Sequence, residues 1–346
     1  MVSRPLLKSV TQMLVDLGIN SRQVYEEDFE KQFLEVSANF YKAESNNFIS
    51  TNSSSEYLKK VERRLNEEVE RVKHYLDQAT DAKIKEVVER ELITAHMKAI
   101  IEMNGSGLVN MLKDDKVDDL LRMYTLLGRV AHGHSSMRKV MGDHIKDEGK
   151  AIVEDTEMQE RPLDYVQKLL ELKDKYDDIL VNAMNNDKNF QHALNQAFEF
   201  FINLNNRSPE YISLFIDDKL QKGTKGTNEE ETEGVLDKVM MLFRFIQEKD
   251  IFEKYYKQHL AKRLLLNRSS SDDQERNMIA KLKTECGYQF TSKLEGMFQD
   301  MKLSAQTSDG FKEYINKIES VRCNAIYLQR LAALLTFVPL EPSPWY

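Results

Sequence analysis

The stretch SSSEYLKKVERRLNEEVERVKHYL, residues 53–76, decides the fold class. Leu58, Val61, Leu65, Val69, Val72 and Leu76 recur at steps of three and four, the period that lines one face of an α-helix. Glu and Arg fill the opposite face. Ser53 and Glu56 have capping-box spacing, in which each side chain can bond the other's backbone N–H. At about 1.5 Å rise per residue, the predicted helix is roughly 30 Å long. One apolar stripe cannot be buried alone, so this helix needs helical neighbours.

Such neighbours are readable on both sides. Leu6, Val10, Met13 and Leu17 predict a helix closed by Gly18. Because this helix follows Met1 directly, the expectation is of a domain whose opening helices lie outside this sequence. Downstream, helices are predicted over Ile84–Met103, Val117–Leu127, Ser136–Ile152, Asp164–Met184 and Phe190–Leu204. Loops such as Asn104–Gly107 and Asn185–Asp187 separate them. A Gly/Lys/Thr loop at Lys219–Asn228 precedes a capping pair, Thr227 and Glu230, and the apolar set Val235, Val239, Leu242, Phe243 and Ile246. In Ile251–Asn267, Phe252, Tyr255, His259 and Arg263 share one flank, with Tyr256, Leu260 and Leu264 beside it. Ser271 and Gln274 are expected to cap a helix carrying Met278, Ile279 and Leu282. No proline lies between Pro5 and Pro162 and no glycine between Gly18 and Gly105, which removes the turns a strand-rich fold needs. The expected class is all-α, with the helices stacked in bundles or solenoid repeats.

Composition sets the function classes. Across 346 residues, 41% hydrophobic and 31% charged, a core fits under a heavily charged surface. The net charge of −8 argues against a general nucleic-acid binder. Two cysteines, Cys286 and Cys323, make neither a disulfide framework nor a thiolate metal cluster. No signal-peptide succession opens the sequence, and the nearly apolar run Leu331–Leu340 is too short to span a bilayer. An intracellular protein, cytoplasmic or nuclear, is expected, without membrane or nucleic-acid partners. Val321–Tyr346 carries just Arg322, Arg330 and Glu341 as charges and reads as an apolar tail, either foreign to the fold, the preferred reading, or a buried strap.

Motifs for chemistry are weak. His132-Gly133-His134 is a close histidine pair, but a metal site needs further ligands, and none stands nearby. Cys286 and His259 could be imagined as a thiolate–imidazole pair, yet neither sits in a nucleophile motif and Cys286-Gly287 reads as a helix end. Gly223-Thr224-Lys225-Gly226 lacks P-loop spacing. The carboxylates alternate with Lys and Arg at helical spacing, as on a solvated face. No catalytic, cofactor-binding or metal-binding residue is assigned. Lys254, Lys257, Lys262, Arg263 and Arg268 form one basic stretch, read first as stems lying over a bundle surface and second as a contact for an acidic partner or nucleic acid.

The same stretch carries a family resemblance. Ser208-Pro209-Glu210-Tyr211-Ile212-Ser213-Leu214-Phe215-Ile216-Asp217-Asp218-Lys219-Leu220 resembles the opening of the cullin homology region. Phe243–Asp250 with Phe252–Leu265 resembles its hallmark, and Lys281–Gly287 and Phe290–Phe298 extend the likeness. Upstream, Val24–Glu30 and Val87–Ile93 resemble the cullin-3 branch. The resemblance covers about residues 5–316.

It implies an elongated stalk of five-helix cullin repeats joined to a globular C-terminal domain, with a partial second repeat over 1–95, a third over 96–205 and the start of the cullin homology domain, a helical bundle, over 206–316. Residues 317–346 form the atypical tail. It further implies a non-catalytic scaffold of a cullin–RING ubiquitin ligase, whose family partners are BTB-domain substrate adaptors and a RING-box subunit. Both docking regions of the family are expected to lie outside this sequence. The alternative expectation is a truncated relative acting as a binding module or decoy.

Overall fold

In the computed structural model, residues 4–221 and 229–317 are described. All named elements among them are helical, and a lone antiparallel bridge, Gln221 with Ser269, is the exception. The Gly223–Gly226 segment, the Thr227 half of its capping pair, Cys323 and the apolar tail from 318 onward lie outside the described residues. The chain divides into two compact units, residues 1–148 with 173–197, and 149–172 with 198–346. Helices Gly133–Glu154, Pro162–Ala183 and Lys188–Ile202 contribute residues to both.

The first unit is organised by the helix Ser54–Tyr75. Its N-terminus is capped as expected, with the Glu56 N–H donating to Ser53 Oγ at 3.3 Å. Leu58, Val61, Leu65 and Val72 are buried, as are Ile84, Val88 and Leu92 of Thr80–Leu92 and Leu120, Met123 and Leu127 of Val117–Leu127. Each such side chain contributes roughly 1.5–3 kcal/mol. Tyr57 seals the interior by donating its hydroxyl to the Leu92 carbonyl at 2.8 Å. The helix expected over Ile84–Met103 is broken: a 3-10 turn, Thr94–His96, separates Thr80–Leu92 from Met97–Glu102.

The helix Lys31–Ile49 carries no readable stripe. It buries Ser37, Tyr41 and Ser45 at four-residue steps while Val36 and Phe40 face solvent.

The second unit packs Ser208–Leu220 against Lys249–Leu265, and Asp272–Cys286 against both Glu229–Phe245 and Tyr288–Lys317. Its core is aromatic: Phe243 lies 4.7 Å from Phe252, which stacks on Tyr256 at 5.6 Å. Gly149 permits one close approach, since a Cβ there would stand 2.1 Å from the Phe201 ring. Ser271 occupies the N-cap of Asp272–Cys286 but makes no side-chain cap bond; Ser270 Oγ reaches Gln274 Oε1 at 2.9 Å instead. The side-chain cap expected from Ser271 and Gln274 therefore does not form, although Ser271 holds the N-cap position.

Candidate functional site

The resemblance-bearing stretch Lys249–Leu265 folds as one helix that buries Phe252, Tyr256, Leu260, Ala261, Arg263 and Leu264. Four of these sit at four-residue steps, so they share one face. Arg263 falls beside them and enters the core, 1% exposed. A guanidinium stays charged when buried, so its site has to supply counter-charge. Glu275, also fully buried, accepts from Nε at 2.6 Å and Nη2 at 2.8 Å, the two-pronged geometry that matches a planar fork to a carboxylate. Asp217 accepts from Nη1 at 2.5 Å.

Three different helices therefore meet at one side chain. The second carboxylate is held further: Gln221 Nε2 donates to Asp217 Oδ2 at 2.5 Å, and His259 Nδ1 stands 3.2 Å from the same oxygen. Burial works to raise the pKa of Asp217, but the bonds from His259 and Arg263 outweigh it and hold the group below its usual value. Burial opposes the Arg263 charge as well, and the bond to Glu275 is the main reason its pKa is nevertheless raised. Ser269 donates to Glu275, and the Ser270 N–H donates to the Leu220 carbonyl at 2.9 Å, which ties the loop after the helix to the end of Ser208–Leu220. Asn267 turns that loop with a φ of +51°.

The arrangement can hold a bundle together; its donors and acceptors are occupied by one another. Reading Arg263 as a stem over the surface is corrected here: paired carboxylates 46 residues before it and 12 after it in sequence draw it inside. The rest of the basic stretch does face outward, with Lys254, Lys262 and Arg268 exposed and Lys257 half-buried.

The other singled-out residues lie apart in role. His132 is exposed with a φ of +65°. His134 stacks on Tyr124, rings 4.2 Å apart, and its Nε2 bonds the Tyr124 carbonyl at 2.9 Å. Gly133 between them is buried where a Cβ would stand 2.0 Å from the Leu127 carbonyl oxygen. The motif therefore starts a helix against a neighbour. Cys286 ends Asp272–Cys286, where burial raises its thiol pKa, opposite to an activated nucleophile, while His259 is turned to Asp217. Among the described residues no group of three or more His, Cys, Asp or Glu could hold a metal ion, and no helix is long and apolar enough to cross a membrane.

Comparison with known proteins defines the class. The cullin alpha solenoid domain profile matches residues 1–308, and the chain belongs to the cullin family. It is 59% identical to Cullin-3 of Dictyostelium discoideum over 318 residues, 92% of this chain and 41% of that protein. Cullin-3B of Arabidopsis thaliana is 59% identical over 310 residues, and Cullin-3 of Caenorhabditis elegans 39% over 316. The chain spans 41–42% of the length of these relatives.

Proposed function

We propose that this chain is a non-catalytic scaffold segment of a cullin-3-type RING ubiquitin ligase, acting in ubiquitin-dependent protein degradation. The observation that carries the reading is 59% identity to proteins named Cullin-3 over about nine-tenths of the chain. The Arg263 cluster supports it, because the most recognisable charged residue of the segment is spent on holding helices together. In this reading the repeats run over 1–95 and 96–205, and the homology-domain bundle over 206–316. BTB-domain adaptors and a RING-box subunit are the partners, bound by the assembled ligase in the cytoplasm or nucleus, and no adaptor, RING or modification site is assigned to a residue here. Packed helices fix the separation between bound parts, and fixed separation raises the effective concentration of a target lysine near a ubiquitin-charged enzyme.

The test is purification of the affinity-tagged endogenous protein, with sizing and identification of what accompanies it. Co-purifying BTB-domain and RING-box proteins in a large species support the scaffold. A species near 40.4 kDa carrying neither overturns it in favour of the decoy reading.

A further inference from the structure

Asn104-Gly105 is the single Asn-Gly pair in the sequence. It forms the tip of the turn between Met97–Glu102 and Leu108–Lys113, and both residues are exposed. An asparagine before a glycine stands one covalent step from a ring. The glycine nitrogen is held beside the side-chain amide carbon, and no side chain on the glycine blocks its approach. The fold leaves this pair free to react. Among the described residues nothing hydrogen-bonds the Asn104 amide or the Gly105 N–H. Gly105 has a φ of +77°, and nothing lies within 4 Å of the place a Cβ would take. The two Asn-Ser pairs, next in lack of hindrance, are held. Asn52 Nδ2 donates to the Phe48 carbonyl at 3.0 Å, and the Ser21 N–H, which would have to attack Asn20, donates to the Gly18 carbonyl at 3.2 Å.

We propose that Asn104 is a spontaneous modification site, converted through a cyclic imide with Gly105 into isoaspartate and aspartate. Solvent base removes the Gly105 amide proton. The nitrogen then bonds to Asn104 Cγ while the Cγ–Nδ2 bond breaks, and the nitrogen of the leaving amide takes a proton from water and departs as ammonia. A water molecule next opens the imide. Opening at the side-chain carbonyl gives aspartate; opening at the main-chain carbonyl leaves the chain running through Cγ as isoaspartate. Ammonia leaves and water enters, so the step needs no oxidant, cofactor or second protein.

The position gives the reaction a consequence. The Met103 carbonyl closes the turn by accepting from the Gly107 N–H at 2.8 Å and the Ser106 N–H at 3.4 Å. Ser106 Oγ in turn accepts from the Ser54 N–H at 3.1 Å, at the start of the helix Ser54–Tyr75 that organises the first unit. Isoaspartate inserts a methylene into the main chain inside this turn, about 1.5 Å of extra path. That displaces Ser106 from the Ser54 N–H. Aspartate keeps the path and adds a charge alone. This inference does not rest on the ligase reading.

Incubation of the full chain in mildly alkaline and in mildly acidic buffer, followed by digestion and mass spectrometry, tests it. The peptide holding Asn104 is expected to exchange ammonia for water, faster in the alkaline buffer and mostly as isoaspartate. Peptides holding Asn20 and Asn52 are expected to stay unchanged, and to begin reacting once urea unfolds the chain. Asn104 intact in the folded chain but reactive in urea overturns the site. Asn20 or Asn52 reacting as fast as Asn104 in the folded chain overturns the selectivity. The isoaspartate form, separated by its added charge, is expected to lose hydrogen-exchange protection several-fold at the Ser54–Leu58 start of the helix, and freshly made Asn104→Asp to keep it. Equal protection in the two forms overturns the consequence for the first unit.

Discussion

Arg263 leaves water together with two carboxylates, whereas Glu30 and Glu68 of the first unit are buried and take their cations from the surface. Glu30 accepts from Thr80 at 2.8 Å and from the half-exposed Lys83 at 2.5 Å. Glu68 accepts from Tyr41 and from the partly exposed Arg71, the latter at 2.6 Å, and its Oε2 makes no hydrogen bond. The difference lies in what remains when the cation is removed. Beside Glu30 and Glu68, solvent reaches the vacated position. Beside Arg263, the fully buried Glu275 keeps the Ser269 hydroxyl as its donor, while Asp217 keeps Gln221 and His259.

The largest effect separating the two regions is therefore expected from Arg263→Ala. It should destabilise the second unit by about 3–5 kcal/mol, read as loss of hydrogen-exchange protection in peptides from 208–286, with peptides from 54–92 much less affected.

A smaller effect concerns acid. Glu148 in the first unit is held at a pKa of about 2 by its pairing with His144 at 3.2 Å, against the opposing effect of burial, and with help from the Tyr176 hydroxyl at 2.7 Å. Because this native value lies below the unfolded one, the contribution is complete above about pH 4.5 and vanishes as the pH falls toward 2. It is worth roughly 2–3 kcal/mol. Glu148→Gln should accordingly flatten the acid limb of a stability–pH profile measured by denaturant unfolding. An unchanged limb would show that the pair contributes nothing.

Tyr41→Phe comes next, since it leaves the buried Glu68 to Arg71 alone; about 1–2 kcal/mol should be lost from the first unit in urea unfolding. Lys83→Ala should cost under about 1 kcal/mol, because Thr80 still bonds Glu30 and the ammonium was half in water. A Lys83 effect as large as that of Arg263 would erase the distinction between the regions.

These sites also show what a sequence discloses. Ser54–Tyr75 was legible because its core face is aliphatic and periodic, so packing follows from local pattern. Lys31–Ile49 was not, because its buried face is Ser37, Tyr41 and Ser45, residues whose burial depends on partners elsewhere in the chain. The break at Thr94–His96 has no proline or glycine to announce it. Arg263 was legible as part of a family hallmark and illegible as core: its neighbours Lys262, Leu264 and Leu265 say nothing of Asp217 and Glu275, which arrive from other helices. No metal role is read for His132-Gly133-His134, but nothing local in the sequence shows that the fold depends on the glycine between the histidines.

The central claim is that Arg263, within the hallmark of this cullin segment, works inward, as core. The most direct measurement is the equilibrium stability of the second unit in Arg263→Met and in Arg263→Met/Glu275→Met. The account predicts a loss of about 3–5 kcal/mol in the single variant and recovery of at least half of it in the double, because removing the stranded carboxylate removes the penalty. A single variant within about 0.5 kcal/mol of the parent would contradict it and move Arg263 to the outer surface.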